Sequence, residues 1–97
     1  MTTGTPVKSV GVELQESSDD ARMVIEAIQR DNADVVVSYL PGLVKVQSPG
    51  ELVIRRETVE ELLGRPWETH EFQLVIVSYY GHIGEWDDDQ IVIKWDH

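Results

Sequence analysis

The chain has no cysteine among its 97 residues, so it can form neither a disulfide nor a thiolate metal site, a composition that fits a reducing interior. Histidine is scarce and scattered: His70, His82 and His97 fall in a turn, in a loop and at the last residue, which leaves no grouped ligands and no base with an orienting partner. Basic side chains are few, eight against eighteen acidic ones, and the formal charge of −10 makes nucleic acid a poor partner. No apolar run approaches the ~18 residues of a membrane span, and Met1-Thr2-Thr3-Gly4-Thr5-Pro6 has neither the basic nor the apolar region of a signal peptide. The expectation is a soluble cytoplasmic protein that does not associate with membranes. Glycine-rich phosphate loops are missing too, because Gly42, Gly50, Gly64, Gly81 and Gly84 each stand singly at a turn.

What is present is a scaffold. A chain this short supports one hydrophobic core, so residues 7–97 are expected to form a single domain behind a mobile arm at residues 1–6. Val10, Val12 and Leu14 alternate with Lys8, Gly11 and Glu13 at the period of a half-buried strand. Ser17 or Ser18 then caps a helix with Asp19 and Asp20 in its first turn. Its apolar stripe is Ala21, Val24, Ile25 and Ile28, and Asn32 closes it as a left-handed cap. Strands follow at Val35 to Leu40, at Leu43 to Val46 after the Pro41-Gly42 turn, and around Leu52 and Ile54 after the type II turn candidate Ser48-Pro49-Gly50.

Thr58-Val59-Glu60-Glu61 matches a capping box for a second helix that buries Leu62-Leu63 and stops at Gly64 and Pro66. Phe72 to Tyr80, apolar on both faces, predicts a central strand; Gly81 to Asp89 reads as a loop; Ile91, Ile93 and Trp95 alternate in a last strand. Two helices that each need a sheet to cover make this an α+β domain in the order strand, helix, three strands, helix, two strands, with ferredoxin-like packing the nearest common architecture.

Few residues here carry chemistry. Asp87-Asp88-Asp89 near His82 and Glu85 is the one acidic group with metal-binding character, but consecutive Asp side chains diverge where a calcium loop needs alternate ligands, so a solvated turn is expected. Ser78 and His82 have no third group to orient them. Catalysis is therefore not expected. Trp95 reads as core, Trp67 folds over the second helix, and Trp86, between Glu85 and Asp87, is as suited to a partner as to packing. Arg55-Arg56, the one basic pair, either pairs locally with Glu57 or Glu60 or contacts a partner.

The strings Asp31-Asn32, Pro41-Gly42-Leu43-Val44-Lys45-Val46, Pro49-Gly50-Glu51-Leu52-Val53-Ile54, Glu61-Leu62-Leu63-Gly64-Arg65-Pro66-Trp67, Ser78-Tyr79-Tyr80-Gly81-His82 and Asp87-Asp88 ahead of Trp95 make the chain resemble a known family. It is similar to the coupling, or effector, proteins of bacterial multicomponent monooxygenases, nearest the phenol hydroxylase and toluene monooxygenase members. The methane monooxygenase regulatory protein is more distant and has longer ends.

The resemblance implies a cofactor-free protein, monomeric when free, that binds a hydroxylase over its carboxylate-bridged diiron site. There it would tune access of dioxygen and substrate and couple electron delivery to hydroxylation of aromatic or alkene hydrocarbons. The resemblance assigns a role in substrate entry to the positions of Ser78, Tyr79 and Tyr80, and the candidate partner-binding residues are these together with Gly81, His82, Asn32, Tyr39, Pro41, Gly42, Arg55 and Arg56. Since side chains alternate along a strand, one of Tyr79 and Tyr80 is expected to face the core. Two other classes compete: a ferredoxin-like ligand-binding module that dimerises edge to edge, and an acidic mimic of nucleic acid. The mimic suffers from Arg22, Arg30, Arg55, Arg56 and Arg65, which interrupt the acidic surface.

Overall fold

The computed structural model describes residues 9–95; the expected arm, the alternation at Lys8 and the terminal His97 lie outside the described residues. Val10, Val12 and Leu14, all fully buried, place β1 (Ser9–Gln15) at the centre of the fold. It pairs antiparallel with β3 (Leu43–Pro49) on one side, and β2 (Val36–Leu40) adds to the far edge of β3 through the Pro41-Gly42 turn. Gly42 takes φ +83°, the left-handed value that the second central residue of a Pro-Gly type II turn requires.

Helix α1 (Asp19–Asp31) begins where Ser18 Oγ accepts the Ala21 amide at 3.1 Å, and it buries Ala21, Val24, Ile25, Ala27 and Ile28. Its end differs from the expected left-handed cap: Asn32 is extended, at φ −133° and ψ 106°. The cause is tertiary. Asn32 Nδ2 donates to Ile28 O at 2.8 Å and to Val53 O at 2.8 Å, while Val53 N donates to Asn32 Oδ1 at 2.9 Å, which ties the helix end to β4 (Glu51–Arg55).

The second helix, α2 (Arg56–Leu63), starts ahead of the expected capping box, and Arg55 at its cap makes no side-chain cap bond. One of its leading amides is satisfied instead by backbone, Arg56 N donating to Asp89 O at 2.9 Å, so Thr58 is free to lie inside the helix. Val59 carries its fully buried face, whereas Leu62 and Leu63 are half-buried. Gly64, at φ +73°, ends the helix as expected, and Trp67 is buried beyond it with its amide donating to Glu60 Oε2 at 2.8 Å.

The apolar run from Phe72 to Tyr80 is not one central strand. Thr69–Leu74 is a 3-10 helix, started by a capping box between Glu68 and Glu71, and only Ile76–Tyr80 is extended, as β5. Phe72 drops into the core while Leu74 is left 73% exposed, a split that alternation alone cannot show. The expected loop after Gly81 contains β6 (His82–Trp86), which pairs with β7 (Gln90–Lys94), and the register shifts between Ile83 and Glu85. Trp86 is half-buried, edge-to-face on Phe72 with ring centroids 6.2 Å apart. Trp95 lies outside the core at 39% exposure, one residue past the end of β7, with its amide donating to Gly50 O at 2.8 Å.

The α+β architecture is as expected, but the strands divide between two antiparallel sheets, ordered β2-β3-β1-β5 and β4-β7-β6, where ferredoxin-like packing has one sheet. The chain crosses between them at Gly50 (φ +77°) and at Gly81 (φ +121°). At Gly81 a Cβ would come within 2.8 Å of Val10 Cγ1 and 2.9 Å of Ile93 Cγ2, one residue from each sheet, so the crossing is pressed between the two halves of the core. Both helices cover the same core cluster, and Arg30 Nη1 joins α1 to Glu61 of α2 at 3.0 Å.

Candidate docking surface

The residues singled out in the sequence occupy three separate places. The first is the corner between β5 and β6. Strand β5 is the outer strand of its sheet, paired with β1 in the register Gly11 to Tyr80, Val12 to Tyr79 and Glu13 to Ser78, with a shift between Glu13 and Leu14. Residues opposite one another share a face, so Tyr79 stands on the side of buried Val12 and Val46, yet at the sheet edge it remains 48% exposed.

Tyr80 lies on the opposite face, half-buried over Gly11, where a Cβ would meet Tyr80 Oη at 2.7 Å and Val46 O at 2.5 Å. The glycine thus makes room for the ring. Tyr80 Oη donates to Gln47 Oε1 at 2.7 Å, and Lys45 Nζ sits 5.4 Å from the ring centroid. Burial, and then the nearby Glu13 carboxylate, raise the Tyr80 phenol pKa above its ordinary value. Ser78 Oγ donates to Glu13 Oε1 at 2.6 Å, so Ser78 and Tyr80 are both held by the sheet's outer face. Gly81 sets the turn, and His82 opens β6 on the exposed side.

The second place is the hairpin of β2 and β3. Tyr39 is 70% exposed, and Pro41 and Gly42 form the exposed tip. Tyr39 borders a groove of about 320 Å³ against α1. Strand β2 is the other outer strand of the same sheet, so Tyr39 and Tyr79 stand at opposite edges.

The third place is a polar cleft of about 370 Å³ where β4 meets α2, lined by Arg55, Arg56, Glu57, Glu60, Asp89 and Gln90. Arg56 Nε is 3.2 Å from Glu60 Oε2 and its Nη1 donates to Asp88 O at 3.3 Å, which satisfies the local pairing expected for the basic pair; Arg55 is exposed. The Trp67 amide first, and the Arg56 guanidinium second, hold the Glu60 carboxyl below its ordinary pKa. Asn32 belongs to none of these places: it is buried, and its amide is spent on Ile28 and Val53.

Sequence reading passes over Val36, Leu40, Leu74 and Val77, all exposed apolar residues in or beside the two outer strands. An uncharged β-branched run reads as interior, and only the strand order shows that these runs lie at edges. The acidic turn is closed by Asp87 Oδ1, which accepts the Asp89 and Gln90 amides at 2.8 and 3.0 Å. Among the described residues no group of His, Cys, Asp and Glu is arranged to hold a metal ion.

Comparison with known proteins is consistent across sequence and structure. Residues 8–94 match the MmoB/DmpM family. The stimulatory component DmpM of phenol 2-monooxygenase from Pseudomonas sp. (strain CF600) is 41% identical over 80 residues, covering 82% of this chain and 88% of that protein. A chain in a solved phenol hydroxylase–regulatory protein complex superposes with a TM-score of 0.86 at 35% identity, covering 92% of this chain and all of the other, 100%. Soluble methane monooxygenase regulatory protein B shares the fold, with a TM-score of 0.69 at 20% identity over 99% of this chain and 71% of its own. With residues 8–94 matched by the family model and a 41% identical relative covering 82% of its length, this chain belongs to the MmoB/DmpM family.

Proposed function

We propose that this protein is the cofactor-free effector component of a multicomponent monooxygenase. It binds the diiron hydroxylase, tunes access of substrate and dioxygen, and couples NADH oxidation to hydroxylation of an aromatic or alkene hydrocarbon. The observation that carries this reading is the match, along nearly the whole chain, to a regulatory protein solved together with phenol hydroxylase. An effector of this kind acts by binding two hydroxylase states unequally, and the difference in affinity sets the largest effect it can have.

Rigidity suits that task. The Gly81 crossing is locked between Val10 and Ile93, and Ser78 and Tyr80 are tied to Glu13 and Gln47, so the corner presents Tyr79 and His82 in a fixed arrangement. We assign the contact to Ser78, Tyr79, Tyr80, Gly81 and His82, supplemented by Tyr39, Pro41, Gly42 and Arg55. Asn32 and Arg56 contribute by holding α1 and α2 in place. Because the reaction draws on NADH, the cytoplasm is where this component works.

Reconstitution tests the reading. Purified protein added to a phenol hydroxylase-type diiron hydroxylase and its reductase raises product formed per NADH consumed, with saturation near one equivalent per active site. Unchanged rate and coupling at equimolar ratio refutes it.

A further inference from the structure

Among the described residues, strand β2 is an edge that no other strand covers. Natural sheets blunt their outer strands with charge, proline, bulges or covering loops, since a row of open amides and carbonyls invites another chain to pair. Strand β5 has such a device in the register shift between Glu13 and Leu14. Strand β2, Val36-Val37-Ser38-Tyr39-Leu40, has no charge and no proline, and it pairs with β3 without interruption from Val36–Gln47 to Leu40–Leu43. Leu40 and Leu43 flank the two-residue Pro41-Gly42 loop and so exchange both backbone hydrogen bonds. By alternation Val37 and Tyr39 then direct their N–H and C=O groups away from β3, where none of the described strands lies.

Beside this edge runs the groove between β2 and α1. Met23, Ile25 and Val44 give it an apolar lining beside the exposed Tyr39, and the carboxylates of Glu16 and Glu26 outnumber the one cation that also lines it, Arg22, whose guanidinium lies 3.5 Å from Asp19. Exposed Asp34 lies just before the strand. An aliphatic stem ending in a cation fits such a groove, with carboxylates for the charge and an aromatic face for the stem. A second copy of this chain is a poor occupant, since each carries a formal charge of −10.

We infer that β2 accepts an extended, basic segment of a partner protein as an added strand, with a Lys or Arg of that segment seated in the α1–β2 groove against Tyr39. This rests on the reading of the chain as an effector, and the partner tested is therefore a phenol hydroxylase-type diiron hydroxylase. Amide hydrogen exchange of the full chain, alone and with hydroxylase, reads the strand directly: the Val37 and Tyr39 amides become protected in the complex. Tyr39→Pro, which removes an outward N–H but no bond to β3, weakens hydroxylase binding about tenfold or more in titration calorimetry. The pair Glu16→Lys with Glu26→Lys, which alters groove side chains and leaves the β2 sequence intact, weakens it similarly and flattens its salt dependence.

Wild-type binding with no protection at Val37 and Tyr39, or with full affinity in both variants, overturns strand addition and leaves the effector reading standing. A dimer of this chain joined through β2 also overturns it. Failure of the wild-type chain to bind hydroxylase overturns both readings.

Discussion

Asn32 and Val53 exchange a pair of hydrogen bonds, Nδ2 to Val53 O at 2.8 Å and Val53 N to Oδ1 at 2.9 Å, so one side-chain amide serves as a strand partner for β4. The same Nδ2 caps Ile28 O of α1. One buried residue thereby fixes the angle between the main helix and the second sheet. Asn32→Ala strands Val53 N and Val53 O, while Ile28 O keeps the backbone amide of residue 32 at 3.0 Å, and the expected loss is about 3 kcal/mol, a fall in Tm of roughly 12–24 °C for a domain of this size. Asn32→Asp keeps the shape but sets a carboxylate oxygen against two carbonyls, and it is expected to be no more stable than the alanine variant. Thermal unfolding followed by circular dichroism decides; a shift under 3 °C for Asn32→Ala would remove the bridging role.

Gly81 and Gly42 both have positive φ, +121° and +83°, but their surroundings differ. A Cβ at Gly42 meets nothing within 4 Å, whereas at Gly81 it strikes Val10 and Ile93. Gly42→Ala should cost only backbone strain, about 1 kcal/mol, and Gly81→Ala strain plus overpacking, about 2–4 kcal/mol. Denaturant titration of the two variants checks the ordering, and equal midpoints would mean that the sheet junction yields freely.

These two positions also show what was legible in the sequence. Local rules narrowed the α1 cap to Ser17 or Ser18 and found the buried stripe of α1, the Pro41-Gly42 turn and the Gly64 stop, because each depends on neighbours in the chain. They missed the extended Asn32 and the early start of α2, because partners distant in sequence, Val53 and Asp89, decide those, and they missed the exposure of Trp95, which lies past the end of β7. The division of Phe72 to Tyr80 into a 3-10 helix and an outer strand was equally hidden: an apolar run does not disclose which of its residues will find a neighbour. At the candidate surface the alternation of Tyr79 and Tyr80 was readable, but not that the core-side ring would stay half in solvent while the outer ring packs over Gly11.

Acid should loosen the junction of α2 with Trp67. Glu60 accepts the Trp67 amide and faces Arg56, and both interactions hold its folded pKa below the ordinary 4.5. A carboxyl with a depressed folded pKa adds stability that is fully present above its unfolded pKa and is lost as pH falls through the lower folded value. Stability should therefore decline below about pH 4.5. Glu60→Gln keeps an acceptor for the Trp67 amide and removes the titrating group, so its stability is lower at neutral pH and its acid slope shallower. Denaturant midpoints from pH 7 to pH 3 compare the two, and parallel slopes would show that other carboxyls govern acid unfolding.

Tyr79 separates docking from folding. Its ring is 48% exposed at the sheet edge, so truncation removes only part of a buried aromatic surface, and Tyr79→Ala should destabilise the free protein by about 1 kcal/mol or less. If the ring is covered on docking, the same truncation costs far more there, since aromatic anchors at interface centres are worth about 2 kcal/mol or more. The expected result is a Tm within a few degrees of wild type beside a hydroxylase affinity about 30-fold weaker, with coupling recovered at high effector concentration. Tyr79→Phe keeps the ring and loses only the hydroxyl, so it should bind almost normally. Recovery at saturation is the discriminating feature: a persistent coupling defect with every hydroxylase site filled would mean that Tyr79 sets the bound hydroxylase state and does more than anchor the complex.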